Sequence, residues 1–484
     1  MVHSRTARQL VSALLTLALA GCGGGGSPGA PTGGRGATPT PTPTPTASCS
    51  LRSRQDWAAA QLREWYLFPE TLPASLDPTP YSTVDDYIDA LTATARAEGK
   101  DRFFTYLTSI AEENAYFSSG ATAAFGIRLQ TDSVANRLYV ADAYEGAPAL
   151  AAGIDRGAEI LAIGTNAGDL RSVTSLLAAG GSALGNAFGP ATPGVTRALQ
   201  IRDTGGTRVI SITKADFAIQ PVSPRFGAQT LSADGQRIGY VNLRTFIETS
   251  EPQLRSAFDS FRIQGINQVI VDFRYNGGGL LEPSQVMADL LGANRFTSDV
   301  VNYLTYRPSK ASENETRLFR RQPQAIGPLR IAFIATEETA SASELVINAF
   351  TPYLKANSIL VGADTYGKPV GQIAIDRTAC DDRLRIVAFA LQNADRQGAY
   401  YNGLASTVGA SCQAADNVDR QMGDPAEAST KVAIDTLAGR LCVPIGGAAP
   451  TASLRTPGVN ARERRELLVA ARPNAAQRDL PGTF

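Results

Sequence analysis

The sequence has 484 residues, of which 43% are hydrophobic and 19% are charged, so it can build about two to four domains with substantial cores. Its 45 basic and 45 acidic residues leave a formal net charge of +0, which gives it no general attraction for nucleic acid or for an anionic membrane surface. The single histidine, His3, lies in a segment predicted to be removed, which excludes Ser-His-Asp and Cys-His catalytic groups and histidine-bearing metal sites.

The first residues are predicted to be an export signal. Arg5 and Arg8 precede an apolar run from Leu10 to Ala20, which has the length of a signal-peptide core and is too short to span a bilayer. The small residues before Cys22 resemble the lipobox of bacterial lipoproteins, so residues 1–21 are expected to be cleaved and Cys22 to carry a lipid. An ordinary signal peptide with a chance cysteine is the alternative.

Residues 22–48 are rich in Gly, Pro and Thr and predict an extended tether, because this composition cannot bury a core. The lipid on Cys22 would make the membrane a partner of the chain. The expected location is the bacterial cell envelope. Gly23, rather than Asp, favours the outer membrane, with the protein facing the periplasm.

Four cysteines follow Cys22, and an even number in an oxidising compartment predicts two disulfides. Three pairings can be drawn, of which Cys380–Cys412 and Cys49–Cys442 are favoured. Buried free thiols are the alternative.

Residues 49–117 are predicted to be a helical, structural region without chemistry of its own. Trp57, Leu62 and Trp65 recur near helical spacing, and Thr83 can cap a second helix.

Residues 118–218 change to a strand-rich pattern, in which 125–129 and 137–140 read as short strands. The region resembles a PDZ domain on the segments Gly146-Ala147-Pro148-Ala149, Ala152-Gly153-Ile154, Gly157 and Glu159-Ile160-Leu161-Ala162-Ile163-Gly164, with Ala158 where that family usually has Asp. A PDZ domain binds an extended peptide by strand addition. The resemblance implies that Phe125, Gly126 and Ile127 hold the peptide terminus. A spacer domain that binds no peptide is the alternative.

Residues 219–442 carry the strongest α/β pattern. Apolar runs at 239–243, 269–273 and 331–334 predict buried strands. Strands that alternate with helices indicate a partly parallel sheet with functional residues at the strand ends. Residues 443–484, rich in Ala, Pro and Arg, predict a flexible surface tail.

Ser341 is the candidate nucleophile. It follows a predicted strand and precedes an apolar helix, Leu345 to Phe350, so free N–H groups and the positive end of the helix dipole lie beside it. Such donors can stabilise an oxyanion. Simple helix capping is the alternative role.

Lys368 is the candidate base, because desolvation lowers a lysine pKa and a neutral amine can accept the proton of a serine hydroxyl. Gln372, four residues on, can hydrogen-bond the amine. A solvated lysine in a turn is the alternative. Residues 362–369 also approach the phosphate-binding pattern G-x-x-x-x-G-K-[ST], but Pro369 offers neither hydroxyl nor N–H, which argues against a nucleotide site.

Three glycines, Gly277 to Gly279, follow the strand that ends near Asp272. Glycine exposes backbone N–H groups, so Gly278 and Ala342 are predicted to be the donors of an oxyanion hole. A tight turn without a catalytic role is the alternative.

Taken in order, these segments resemble the C-terminal processing proteases, also called tail-specific proteases, over roughly residues 55–440. The resemblance rests on Asp272-Phe273-Arg274-Tyr275-Asn276-Gly277-Gly278-Gly279, on Ser341-Ala342-Ser343-Glu344, and on Thr365, Gly367, Lys368 and Gln372. Gly277 stands where that family has proline, which puts the loop geometry in doubt.

The resemblance implies a mixed α/β multidomain fold: an N-terminal helical segment, a PDZ-like β-rich domain, and a protease core like that of crotonase and the Clp protease. It implies a serine endopeptidase in which Ser341 attacks, Lys368 is the base and Gln372 positions Lys368. Glu344 is expected to be a structural ion-pair partner or a first-turn acid. No cofactor or metal and no nucleic acid is expected. The expected partners are protein or peptide substrates with free C-terminal tails. A non-catalytic peptide-binding lipoprotein and a hydrolase of another acyl substrate are the alternatives.

Overall fold

The computed structural model describes residues 49–447, 465–470 and 473–484. The predicted signal peptide, the predicted lipidation site Cys22 and the predicted tether up to residue 48 lie outside these residues. Within the described ranges, no helix combines the length and the apolar character that crossing a membrane requires.

Helices occur from the first to the last of the described ranges. In chain order they are α1 (Leu51–Trp65), α2 (Val84–Leu91), α3 (Ala93–Ala97), α4 (Ile110–Ser119), α5 (Pro148–Ala151), α6 (Val173–Ala178), α7 (Gly181–Ala187), α8 (Ser250–Ile263), α9 (Leu281–Leu291), α10 (Ala342–Leu354), α11 (Ala428–Leu437) and α12 (Ala475–Asp479).

The strands form three larger sheets and one two-stranded ladder. They are β1 (Tyr106–Ser109), β2 (Ala121–Ala124), β3 (Ile127–Asp132), β4 (Arg137–Ala143), β5 (Glu159–Gly164), β6 (Arg171–Ser172), β7 (Thr196–Asp203), β8 (Gly206–Thr213), β9 (Ala215–Ala218), β10 (Ala228–Ala233), β11 (Gln236–Asn242), β12 (Gln268–Asp272), β13 (Val300–Tyr306), β14 (Glu315–Leu318), β15 (Arg330–Ala335), β16 (Ser358–Gly362), β17 (Val370–Arg377), β18 (Asp382–Gln392), β19 (Ala410–Gln413) and β20 (Arg465–Leu467).

A six-stranded sheet with the order β10-β11-β12-β15-β16-β19 forms the centre of the predicted core region. It is parallel from β11 to β19, and β10 pairs with β11 in antiparallel register. Side chains alternate between its two faces: Val269 and Val271 pack with α8, α9 and α10, whereas Ile270 packs with α11. Because both faces are buried, the strands read as continuous apolar runs, and the predicted strands at 239–243, 269–273 and 331–334 are confirmed.

A second, antiparallel sheet has the order β1-β18-β13-β14, with β17 also paired to β18. Helices α1 and α2 pack on it, with Leu62 and Ile88 in one buried cluster with Leu384. Thr83 caps α2 by accepting from the N–H of Asp86 at 3.0 Å, as predicted. Residues 49–117 are therefore mainly helical, but they also contribute strand β1 and share a core with the hairpin β17–β18.

The third sheet, β20-β3-β4-β5-β7-β8 with β6 beside β5, lies mostly in residues 118–218, and β2 pairs with β9 at the two ends of that region. Helix α6 packs on it through Leu176. The mixed α/β composition agrees with the prediction. The assignment of this region as PDZ-like stays a prediction.

Both predicted disulfide pairings are wrong. The bonds are Cys49–Cys380 and Cys412–Cys442. The first joins Cys49, two residues before α1, to the turn between β17 and β18, because α1 packs against that hairpin. The second joins β19 to the chain that follows α11.

The prediction of a flexible tail is also corrected for the described residues beyond 443. Residues 465–467 form β20, which pairs with β3, and residues 475–479 form α12. Leu480 is 0% exposed and Phe484 is 4% exposed, so apolar side chains of this segment complete the cores of other elements. The Ala- and Pro-rich composition predicts a flexible segment, because it contains only a few of these buried apolar residues.

Candidate active site

Ser341 lies at the turn between β15 and α10, immediately before the first helical residue, Ala342. Its φ of +56° is in the left-handed region, which a serine adopts only when its surroundings impose it. Its backbone N–H donates to Oε2 of Glu344 at 2.9 Å. The predicted helix after Ser341 is confirmed, so its side chain lies beside the positive end of the α10 dipole.

The glycine loop after β12 lies directly against Ser341. A Cβ on Gly278, whose φ is +122°, would come within 2.8 Å of the Ser341 Cβ, so no larger residue fits here. The N–H of Gly278 donates to Oδ1 of Asn276 at 2.9 Å, and the Asn276 amide in turn donates to the Leu243 carbonyl. The structure thus brings both predicted oxyanion donors, Gly278 and Ala342, beside Ser341. The Gly278 N–H is engaged by Asn276, and its role stays a prediction.

Lys368 lies in the loop between β16 and β17. Its Nζ donates to Oε1 of Gln372 at 2.8 Å, the contact that the sequence predicts. The Gln372 side-chain amide donates to the Phe104 carbonyl, and Nζ lies 4.9 Å from the centroid of the Phe104 ring. Gln372 is therefore fixed from the other side by the N-terminal region, which forms one wall of the site.

The surroundings of Lys368 favour its neutral form. The residue as a whole is half-buried but its amine lies deep, and burial lowers the pKa of Lys368 to about 8. The carboxylates of Asp479 and Asp101 oppose this shift of the pKa, whereas the cations Arg478 and Arg385 reinforce it. A base of this pKa is partly neutral near physiological pH, as a proton acceptor must be.

Glu344 connects the Ser341 turn to the Lys368 loop. Its Oε2 accepts from the N–H groups of Ser341 and Lys368, at 2.9 and 2.8 Å. Its Oε1 accepts from Thr365 Oγ1 at 2.6 Å and from the Gly367 N–H at 2.7 Å. The side chain is fully buried, and burial raises its pKa while these four donors oppose that shift. The expected role of Glu344 as an acid in the first turn of α10 is confirmed, and its carboxylate also binds backbone and hydroxyl donors of the Lys368 loop.

The same contacts argue against a nucleotide-binding site at residues 362–369. In a phosphate-binding loop the backbone N–H groups point at the phosphates. Here the N–H groups of Gly367 and Lys368 donate to Glu344. Among the described residues, no group of three or more His, Cys, Asp or Glu side chains is arranged to hold a metal ion.

The predicted peptide-binding residues lie at the start of β3. Phe125 and Ile127 are fully buried, and the N–H groups of Gly126 and Ile127 donate to the carbonyl oxygen of Phe484 at 3.0 and 3.3 Å. Phe125 lies 6.5 Å from Phe188, ring centroid to ring centroid.

Sequence reasoning missed Asn276, Phe104 and Asp479 as parts of the site and understated Glu344. The signal for Glu344 was present, since Ser-x-x-Glu before an apolar helix predicts a capping box. Phe104 and Asp479 are separated from Lys368 by more than one hundred residues in sequence, and no local pattern predicts their approach.

Comparison with known proteins adds to this geometry. The model of peptidase family S41 matches residues 237–400, which include the glycine loop, Ser341 and Lys368. A carboxyl-terminal-processing protease of Picosynechococcus sp. is 26% identical over 253 residues, covering 52% of this chain and 55% of that protein. One of Synechocystis sp. is 24% identical over 251 residues, covering 52% and 54%. The match spans about half the length of these curated relatives.

The fold has a counterpart among solved structures. The crystal structure of a putative S41 protease from Bacteroides fragilis superposes with a TM-score of 0.62, covering 79% of this chain and 97% of that chain at 21% identity. The mixed α/β fold of S41 proteases is thereby confirmed for this protein. Residues 237–400 thus form a peptidase family S41 domain, and the chain is similar in sequence to the carboxyl-terminal-processing proteases.

Proposed function

We propose that this chain is a serine endopeptidase that cleaves protein substrates held by their C-terminal tails. Ser341 is the nucleophile, Lys368 is the general base and acid, and Gln372 positions the lysine amine. The observation that carries the proposal is the Lys368–Gln372 hydrogen bond of 2.8 Å, on a loop that shares the Glu344 carboxylate with Ser341.

The reaction needs no group beyond these side chains and water. The Ser341 Oγ attacks the peptide carbonyl carbon while its proton passes to the neutral Lys368 amine. The resulting oxyanion would accept from the N–H groups of Gly278 and Ala342, once the Gly278 N–H leaves Asn276. The C–N bond then breaks, and the leaving amine takes the proton from Lys368. Water hydrolyses the Ser341 ester with Lys368 again as base, releasing the carboxylate product.

Substrate binding is assigned to residues 118–218. The peptide would add as a strand along β3, and the N–H groups of Gly126 and Ile127 would donate to its terminal carboxylate. The hydrogen bonds of these two N–H groups to the Phe484 carbonyl support this arrangement. The buried rings of Phe125 and Phe188 beside this loop favour an apolar residue at the end of the bound peptide.

The test is the cleavage of an unstructured protein with an apolar C-terminal tail by residues 48–484. Matched samples carry Ser341→Ala or Lys368→Ala, and circular dichroism confirms that each is folded. We expect cleavage by the unaltered chain and loss of at least about 10³-fold in both variants. Binding of the tail without cleavage would favour a peptide-binding lipoprotein, and ester turnover without protein cleavage would favour another acyl hydrolase.

We also propose that Cys22 carries a lipid that anchors the protein in the bacterial envelope, facing the periplasm from the outer membrane. The support is the sequence pattern at residues 10–22. The test is incorporation of a radiolabelled fatty acid into the full chain, which Cys22→Ser should abolish. Labelling that persists in Cys22→Ser would refute the anchor.

A further inference from the structure

The outer side of β3, where a peptide would bind by strand addition, is already occupied by the chain itself. Residues 465–467 pair with 130–132 in antiparallel register, and the Leu468 N–H donates to the Leu129 carbonyl at 3.0 Å. The ladder then resumes with residues 482–484: the Leu129 N–H donates to Gly482, and the Phe484 N–H donates to Ile127. Two stretches of one segment therefore fill the proposed peptide groove.

Phe484 occupies the place of a bound peptide's apolar end residue. Its ring lies 5.1 Å from that of Phe188, centroid to centroid, and it belongs to the same buried cluster as Phe125. The hydroxyl of Thr483 contacts the hydroxyl of Tyr144 at 2.8 Å, and the Pro481 carbonyl accepts from Arg128 Nε at 3.0 Å. The groove thus binds this segment through backbone, polar and apolar contacts together.

Between the two stretches the chain leaves β3 and places α12 at the active site. The carbonyl of Asp479 accepts from the N–H of Gly277 at 2.8 Å, so the backbone of α12 is bonded to the loop that holds Gly278 against Ser341. The Arg478 guanidinium lies 3.5 Å from the centroid of the Tyr106 ring on β1. Helix α12 therefore lies between the glycine loop and the wall formed by the N-terminal region.

Asp479 also acts on the base. Its carboxylate raises the pKa of Lys368, and the Lys368 cation in turn lowers the pKa of Asp479, which burial holds at about 6. The α12 segment therefore contacts the glycine loop through its backbone, and the Asp479 carboxylate interacts electrostatically with Lys368. We expect a substrate strand that reaches Ser341 beside Gly278 to compete with this segment, because α12 is bonded to the neighbouring residue Gly277.

Gly277 is what permits the contact with α12. A Cβ on Gly277 would come within 2.8 Å of the Arg478 carbonyl oxygen and 3.0 Å of the Asp479 carbonyl oxygen. Proline stands at this place in the C-terminal processing proteases. It would add that carbon and remove the N–H. Glycine in place of proline at position 277 is therefore what allows α12 to bind to this loop.

We infer that residues 465–470 and 473–484 are an internal ligand of this protease: they fill the groove along β3 and hold α12 beside the Ser341–Lys368 site until a competing peptide displaces them. The inference rests on the proposed function. It adds that the resting enzyme is inhibited by its own chain, and that peptides with an aromatic end residue relieve the inhibition.

Two variants weaken the closed arrangement from opposite ends. Phe484→Ala removes the buried ring from the groove, and Gly277→Ala inserts a methyl group against α12. Loss of a buried phenylalanine ring shifts such a closing equilibrium by about 100-fold, so we expect the basal rate of protein cleavage to rise by about tenfold or more in Phe484→Ala. A synthetic peptide with the sequence Leu480–Phe484, which lacks Asp479, should compete for the same groove and saturably raise the hydrogen-exchange rate of the Gly277 amide in the unaltered chain.

Ile212→Ala is the matched control, because Ile212 is buried in the same apolar cluster but lies on β8. It should loosen that core without raising the cleavage rate. Hydrogen exchange gives a readout that does not depend on activity. The amides of Gly277, Leu480 and Phe484, all hydrogen-bonded in the closed arrangement, should exchange at least about tenfold faster in Phe484→Ala than in the control.

The outcomes separate the two proposals. Faster exchange with higher cleavage supports the inference, and faster exchange in a chain that cleaves nothing supports the internal ligand while refuting the protease. Unchanged exchange at Gly277 in Phe484→Ala would overturn the inference, as would faster exchange in a variant that cleaves protein no faster than an active unaltered chain; residues 465–470 and 473–484 would then be a fixed part of the fold.

Discussion

Replacing Glu344 by glutamine tests whether one buried carboxylate fixes the positions of Ser341 and Lys368 relative to each other. Each of its oxygens accepts two hydrogen bonds, so either orientation of a glutamine turns an NH₂ group toward two donors. Two hydrogen bonds to a charged group are worth about 3–6 kcal/mol, and the removal of a buried charge offsets part of that loss. We therefore expect Glu344→Gln to lower the free energy of unfolding by about 2–4 kcal/mol.

That loss is smaller than the stability of about 5–15 kcal/mol of an ordinary domain, so the variant should fold. The kcat of the folded Glu344→Gln variant should nevertheless fall, by more than the small unfolded fraction would account for. Because the N–H groups of Ser341 and Lys368 would lose their shared acceptor, we expect the two loops to separate slightly. A misplacement of about 1 Å costs about 100-fold in rate.

The assay compares the urea midpoint and the kcat of Glu344→Gln with those of Asp289→Asn. Asp289 is equally buried and accepts from Arg317 and from the Arg320 N–H, on the far end of α9 from the glycine loop. Asp289→Asn should lose stability but keep its kcat while folded. The reasoning would be refuted by a folded Glu344→Gln with an unchanged kcat, or by equal losses of kcat in both variants.

Three further outcomes follow from the site and the cysteines. The proposed base must be neutral and burial lowers the pKa of Lys368 to about 8, so kcat/KM should fall about tenfold per pH unit below that value and level off above it. Asp479→Asn removes a carboxylate that raises this pKa and should move this falling limb of the pH profile to lower pH. A falling limb at the same pH would contradict that contribution of Asp479. Gln372→Glu puts a carboxylate beside the amine and should move the limb above pH 8, whereas the same pH profile as in the unaltered chain would show that Gln372 does not contact the working base. Peptide mapping without reduction should recover Cys49 with Cys380, and the double serine variant of this pair should lose about 3–5 kcal/mol of stability; a mixed pairing would contradict the structure.

The parts of the site that the sequence predicts are those set by local patterns. The runs at 269–273 and 331–334 are apolar because both faces of their sheet are buried, so they read directly as strands. Lys368 and Gln372 meet because only four residues separate them along the chain.

What the sequence could not predict depends on distant contacts. The pairing of Cys49 with Cys380 follows from the packing of α1 on the β17–β18 hairpin, which no spacing between cysteines encodes. The packing of the last residues is hidden from sequence patterns because Leu480 and Phe484 are isolated apolar residues whose partners outside their own segment lie more than 200 residues away.

The pairing of β20 and of residues 482–484 with β3 has a consequence for solubility. Without them, β3 would be an edge strand with its row of N–H and C=O groups open to another chain, which is the usual template for self-association. The segment that closes the groove therefore also caps the sheet. Strand exchange between copies of the chain is prevented for as long as each copy's own segment stays in place.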